Sequence, residues 1–156
     1  MIIELEGYMS IIDLTQQEAD ALIALDKVRI SQERYQFPQL GGSLRIPLKS
    51  RDGREEFMLD ITRGQINLKK NTFQNRARKA IVLVRVDIDG PPHRNPDDKV
   101  VDCPHIHIYR EGFGTKWAVP LPSLFSKPDD CWITLEEFMK YCNISDKPNI
   151  TRELFI

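Results

Sequence analysis

Residues 80–88 constrain the fold more than any other stretch. Val82, Val84, Val86 and Ile88 alternate along it, so they share one face of a strand. Ile81 and Leu83 fall on the opposite face, which implies burial on both sides at that end. Arg85 and Asp87 continue this second face towards a histidine-bearing loop. The chain must therefore build a sheet around this strand.

The candidate neighbours are legible on either side. In Ser43-Leu44-Arg45-Ile46-Pro47-Leu48-Lys49-Ser50 the apolar residues share one face, and Pro47 argues for an edge position. Asp52-Gly53 is a hairpin turn, and residues 55–61 return with Phe57, Leu59 and Ile61 on the apolar face. Between residues 69 and 78 only Phe73 and Ala77 are apolar, which leaves Lys70, Thr72, Gln74, Arg76 and Arg78 in a row on one face. Residues 115–121 can pair back on the strand before them, with Trp117 and Val119 inward and Lys116 outward. Phe37-Pro38-Gln39-Leu40-Gly41-Gly42 reads as a loop.

Two helices flank these strands. Thr15 and Glu18 form a capping box for a helix running to about Lys27. Thr134 and Glu137 suggest a second box, opening a helix through Leu135, Phe138, Met139 and Cys142. The final Leu154-Phe155-Ile156 suits a short docked strand. The expected architecture is α+β, one domain over residues 1–156. A curved antiparallel sheet, partly barrel-like, carries an N-terminal and a C-terminal helix.

A chain of 156 residues can bury a sizeable core. No apolar run reaches the length of a membrane span, and the acidic start lacks a basic leader region. Cys103, Cys131 and Cys142 are odd in number and widely spaced, which fits a reducing cytoplasm better than a disulfide framework or a structural zinc site. The near-zero net charge hides an asymmetry. Residues 61–86 contain no acid but carry Arg63, Lys69, Lys70, Arg76, Arg78, Lys79 and Arg85, a local positive field.

All three histidines lie between residues 93 and 107. If residues 105–109 are a strand, Ile106 and Ile108 face one side while His105, His107 and Tyr109 face the other. The imidazoles then point outwards or into a cleft.

The segments Leu59-Asp60-Ile61-Thr62-Arg63-Gly64, Gln74-Asn75-Arg76-Ala77-Arg78, Pro92-His93-Arg94-Asn95-Pro96 and Cys103-Pro104-His105-Ile106-His107-Ile108-Tyr109-Arg110-Glu111-Gly112-Phe113-Gly114 resemble an uncharacterised family of small bacterial and prophage proteins. The resemblance covers most of the chain from about Phe57 and brings no established activity. It implies a bacterial or phage setting, where small domains often serve as toxins, defence proteins or anti-defence proteins.

Three functional readings follow. The first is a toxin-like ribonuclease. His105 and His107 would act as base and acid, His93 and Arg94 would approach from the preceding loop, and Tyr109, Arg110 and Lys116 would add donors. Lys70, Arg76, Arg78, Lys79 and Arg85 would track the nucleic-acid backbone, with RNA preferred. The second needs a divalent ion such as zinc or manganese on His105 and His107, completed by His93, Asp97, Asp98, Asp102 or Cys103. The third is a non-catalytic module, such as a phage inhibitor of a nuclease or CRISPR system, that binds nucleic acid or a protein partner through its basic face. Cys103 as a nucleophile is the weaker alternative to Cys103 as a small buried apolar residue.

Overall fold

The computed structural model describes residues 13–152. Its elements run α1 (Gln16–Ala24), β1 (Lys27–Arg29), β2 (Arg34–Gln36), β3 (Ser43–Ser50), β4 (Glu56–Arg63), β5 (Asn71–Ala77), β6 (Ile81–Ile88), β7 (His93–Arg94), β8 (Val100–Val101), β9 (His105–Ile108), β10 (Ala118–Pro120), α2 (Cys131–Tyr141), β11 (Ile144–Asp146) and β12 (Asn149–Thr151). The residues 154–156, expected to dock as a strand, lie outside the described residues.

The doubly buried strand, β6, lies between β9 and β5 in an eight-stranded sheet ordered β10-β9-β6-β5-β4-β3-β1-β11. The sheet is open, with β10 and β11 as its edges, so the expected barrel-like closure is absent among the described strands. Its pairs are antiparallel except for β1 with β11, and a separate two-stranded sheet pairs β2 with β12 in parallel. The α+β class stands.

Register divides the sheet into two unlike faces. Phe73 pairs with Val86, and Val86 with Ile106, which places these apolar residues in one row. That row faces both helices, in one core with Ala19 and Leu22 of α1 and Leu135, Phe138 and Met139 of α2. The Phe73 and Phe138 rings lie 6.0 Å apart. The alternate residues form the other face, in two cross-strand rows. Asp60, Gln74, Arg85, His107 and Ala118 make one, and Thr62, Thr72, Asp87, His105 and Pro120 the other. A one-residue slip would exchange the faces, so burial of the apolar set fixes the polar rows.

Helix boundaries follow from capping. The Thr15–Glu18 box forms as expected, but α1 ends at Ala24, not near Lys27. Lys27 instead begins β1 and is fully buried. Its ammonium donates to the carbonyls of Ile23 (2.9 Å), Leu25 (3.0 Å) and Cys142 (2.7 Å), satisfying acceptors left at a helix end. Burial pushes its pKa down to about 8. Helix α2 starts one turn before the expected Thr134 cap. Asp130 accepts from the Trp132 and Ile133 N–H groups, while the Thr134 hydroxyl donates to the Lys127 and Asp130 carbonyls.

Two strand expectations are corrected. Strand β3 is interior, flanked by β4 and β1. Strand β1 reaches only as far as Leu48, however, so Pro47 lies on the stretch it leaves uncovered. The β9–β10 hairpin forms, but its phase is reversed: Ala118 is buried and Val119 is 50% exposed. Trp117 lies before the strand, edge-on to Phe113 at 5.7 Å and beneath the Arg110 guanidinium at 4.4 Å.

The histidine-bearing loop is tied down by Asn95, 8% exposed. Its side-chain amide donates to the Ala118 carbonyl (2.9 Å), and its oxygen accepts the Ala118 N–H (2.8 Å). This double bond imitates a strand partner on the edge of β10. Asn95→Ala leaves both buried backbone groups unpaired and should cost about 1–3 kcal/mol. Asn95→Asp keeps the acceptor for the Ala118 N–H but sets its second oxygen against the Ala118 carbonyl, and should also destabilise. Chemical denaturation checks both; wild-type stability in both variants would refute the loop's dependence on this bond.

Candidate functional site

The site grows from the two polar rows. Asp87 on β6 lies directly opposite His105 on β9, and Arg85 opposite His107. Alternation turns all four side chains to the polar face. The Asp87 Oδ2 lies 3.0 Å from His105 Nε2 and 3.2 Å from His107 Nε2. Arg85 grips the same carboxylate, with Nη2 2.9 Å from Oδ2 and Nε 3.1 Å from Oδ1. The Thr72 hydroxyl donates to Oδ1 from the next strand at 3.2 Å.

The backbone fixes the imidazoles from behind. His107 Nδ1 lies 2.8 Å from the Thr115 carbonyl, and His105 Nδ1 3.2 Å from the Asp102 carbonyl. A carbonyl only accepts, so each Nδ1 carries the hydrogen and each Nε2 is presented to Asp87. His105 and His107 are almost fully buried. Their ring centroids lie 4.9 Å apart, and His93 stands edge-on to His107 at 4.6 Å. His93 Nε2 donates to the Lys116 carbonyl at 2.7 Å. Its Nδ1 has no hydrogen-bond partner among the described residues.

Charge concentrates on Asp87. Burial alone would push its carboxyl up. The His107 ring and the Arg85 guanidinium beside it outweigh that and hold it well below the ordinary carboxylate range. The cluster forms the floor of a cleft of about 380 Å³ whose lining includes Lys70, Thr72, Arg85, Asp87, His93 and His105. Lys70 is brought there by a tight loop. Gly64 donates to the Lys70 carbonyl at 2.8 Å, and a side chain at Gly64 would meet Lys70 Cβ at 2.8 Å.

The remaining expected residues are placed as follows. Arg94 donates to the Asp98 carbonyl (3.1 Å) within the loop of β7 and β8. Tyr109 follows the end of β9 and is buried in the apolar core. Its hydroxyl accepts from the Leu14 N–H (2.6 Å) and donates to the Leu14 carbonyl (3.1 Å). Arg110 is stacked on Trp117. Lys116 contributes the carbonyl that anchors His93. Cys103 lines the cleft, its sulfur 3.5 Å from His105 Nδ1, and burial pushes its thiol up, away from the reactive thiolate.

The expected uncompensated positive field is partly neutralised, with three of its seven cations ion-paired. Arg76 pairs with Asp60 (Nη2 to Oδ1, 2.9 Å), Arg78 with Glu55 (3.0 Å) and Arg85 with Asp87. These acids lie outside the residues 61–86 that define the basic run, but register brings them alongside it. Lys79 gives its carbonyl to Arg76. Lys70 and Arg85 remain aimed at the cleft.

Asp87 is the group that histidine spacing alone did not nominate. The signal for it was its place after Arg85 on the second face of β6. Among the described residues, Asp87, His105 and His107 form a group able to hold a metal ion, their ligand atoms all within 4.8 Å of one another. Asp97, Asp98 and Asp102 are not part of it. No helix among the described residues is long and apolar enough to cross a membrane.

A family described as a family of unknown function, DUF6978, matches residues 14–144. No curated protein matches the chain, and no solved structure matches it.

The Asp87 carboxyl is depressed in the folded state, so its ionised form stabilises the fold above the ordinary value of 3.8. That stability is lost as pH falls towards the folded value. Asp87→Asn should therefore be less stable than wild type near pH 7, and the difference should shrink below about pH 4. Urea denaturation of metal-free protein across that range measures it. A difference independent of pH would contradict the assigned electrostatics.

Proposed function

The chain belongs to this family of unknown function, and we propose that it cleaves phosphodiesters, with RNA as substrate, in the cleft above Asp87. The observation that supports this most is the joining of Lys70, Arg85, His93 and His105 around one cleft, at the Asp87–His105–His107 cluster.

The division of labour follows from access. His105 and His107 are buried, and both nitrogens of each ring are engaged. They position Asp87. His93 is half-buried, lines the cleft, and has an Nδ1 without a partner among the described residues. It acts as the proton carrier. Its Nδ1 takes the ribose 2′-hydroxyl proton as the O2′–P bond forms and the P–O5′ bond breaks. The departing 5′-oxygen is protonated by water. Lys70 and Arg85 neutralise the non-bridging oxygens. The products are a 2′,3′-cyclic phosphate end and a 5′-hydroxyl end. A bacterial cytoplasm, and a toxin-like role there, belong to this reading.

A non-catalytic reading is favoured by one observation: the burial of His105 and His107, with every ring nitrogen in close polar contact, also suits a purely structural cluster. The protein would then act by occupancy, as an anti-defence inhibitor would, and His93 would be dispensable.

Cleavage of single-stranded RNA distinguishes the two. His93→Ala should lower the rate at least about a hundredfold while RNA binding and thermal stability stay near wild type. Lys70→Ala and Arg94→Ala should separate the cleft cation from the loop cation, with the larger loss at Lys70. Absence of cleavage by wild-type protein, across pH and added divalent ions, would refute the enzyme reading.

A further inference from the structure

We propose that Asp87, His105 and His107 form a binding site for one divalent transition-metal ion of the zinc class, with the Arg85 guanidinium as its placeholder. The inference deepens the catalytic reading above and rests on it only for what the ion would serve. The ion's binding stands on geometry alone.

Hydrogen-bond donors and acceptors do not balance around Asp87 Oδ2. Each Nδ1 faces a carbonyl and therefore carries the hydrogen. A neutral imidazole so fixed offers a lone pair at Nε2. Both lone pairs then point at the same carboxylate oxygen, Asp87 Oδ2, at 3.0 and 3.2 Å. Acceptor against acceptor at such distances is repulsive in a buried site, so something positive must stand between them. A proton on each ring would do it, and so would one cation shared by all three atoms.

The geometry fits the shared cation. Metal-binding histidines characteristically present one nitrogen to the ion and donate the other to a backbone carbonyl or carboxylate. Both rings here are held in that way by carbonyls. In a tetrahedral zinc site with ligands at about 2.0–2.1 Å, ligand atoms lie roughly 3.3 Å apart. The two oxygen–nitrogen separations, 3.0 and 3.2 Å, already approach this, and all three ligand atoms lie within 4.8 Å of one another, so the two rings need close only a little further on the ion. Two nitrogens and one oxygen leave further positions for water or a substrate oxygen, as in catalytic rather than structural sites.

A cation already sits at this point. Arg85 Nη2 lies 2.9 Å from Asp87 Oδ2 and 3.1 Å from His107 Nε2, touching two of the three ligand atoms. Arg85 also reaches the cleft, with a third of its side chain exposed. Its guanidinium can withdraw from Asp87 Oδ2 and His107 Nε2 towards the cleft without crossing the core. Ion and guanidinium therefore compete for the same ligand atoms. This competition makes an unusual prediction: removing a residue from the site should strengthen binding.

The test uses the full chain, stripped with a chelator and dialysed. Zn²⁺ and Mn²⁺ are titrated by calorimetry, and Co²⁺ by its visible absorption, which reports ligand number and type. One ion per chain is expected. Asp87→Asn and His107→Ala should weaken Zn²⁺ at least about tenfold. Arg85→Met should tighten it severalfold. Because His107→Ala empties a buried position and puts folding at risk, the Co²⁺ spectrum of the wild type and the Arg85→Met titration carry the test independently. No binding by the folded wild type would overturn the site. Binding unchanged in Asp87→Asn and Arg85→Met alike would overturn it too, placing the ion elsewhere. One tightly bound ion without RNA cleavage would leave the site standing and remove the ribonuclease reading. Cleavage dependent on His93 in a chain that binds no ion would do the reverse.

Discussion

A single carboxylate oxygen facing two imidazole nitrogens organises this protein's polar face. Asp87 Oδ2 gathers the buried His105 and His107 and the partly exposed Arg85 within hydrogen-bond distance. Isolated, any one of these groups would be costly to bury. Together they compensate one another, provided the strands hold register. The apolar face enforces that register, because Val86 and Ile106 must meet Phe73 above the helices. Core packing thereby sets the geometry of the charged cluster on the opposite face.

The surroundings adjust access to this cluster. Asn95 clamps the loop of β7 and β8 to Ala118, and Lys116 holds His93 at its rim. The hairpin of β9 and β10 supplies the Thr115 carbonyl that orients His107. Each contact joins a residue of the histidine-rich stretch to the segment after Gly114. The stretch therefore works as one unit: the strand carries the buried histidines, and the flanking loops supply the half-buried one and its anchors. Lys70 and Arg85 line the cleft together with Asp87, so a ligand in it meets cations beside the carboxylate.

Much of this was legible in the sequence, and the failures have physical causes. Alternation in residues 43–50, 55–61 and 80–88 located β3, β4 and β6, and the Thr15 box located the start of α1. Three-residue strands such as β1, β2 and β11 hold too little periodicity to be seen. The buried Lys27 was read as the end of a helix because no local pattern reveals three carbonyls converging from Ile23, Leu25 and Cys142. Val119 was assigned inward by simple alternation, which fails at a sheet edge where Trp117 finds its partners in Phe113 and Arg110. The basic run between residues 61 and 86 looked unpaired because its acids, Glu55, Asp60 and Asp87, lie just beyond its ends and reach it through strand pairing. His105 and His107 were nominated by spacing, and Asp87, the residue that joins them, became evident only with the register of β6 against β9.

The account's central claim is that both buried imidazoles hold hydrogen on Nδ1 and present Nε2 to Asp87. Long-range proton–nitrogen NMR correlation of ¹⁵N-histidine-labelled protein reads the tautomer of each ring directly. The account predicts protonated Nδ1 in His105 and His107, and a selective shift of both Nε2 signals when Zn²⁺ is added. Rings protonated at Nε2 with bare Nδ1 would contradict it, because the Thr115 and Asp102 carbonyls could no longer orient them and no ion could share their Nε2 atoms.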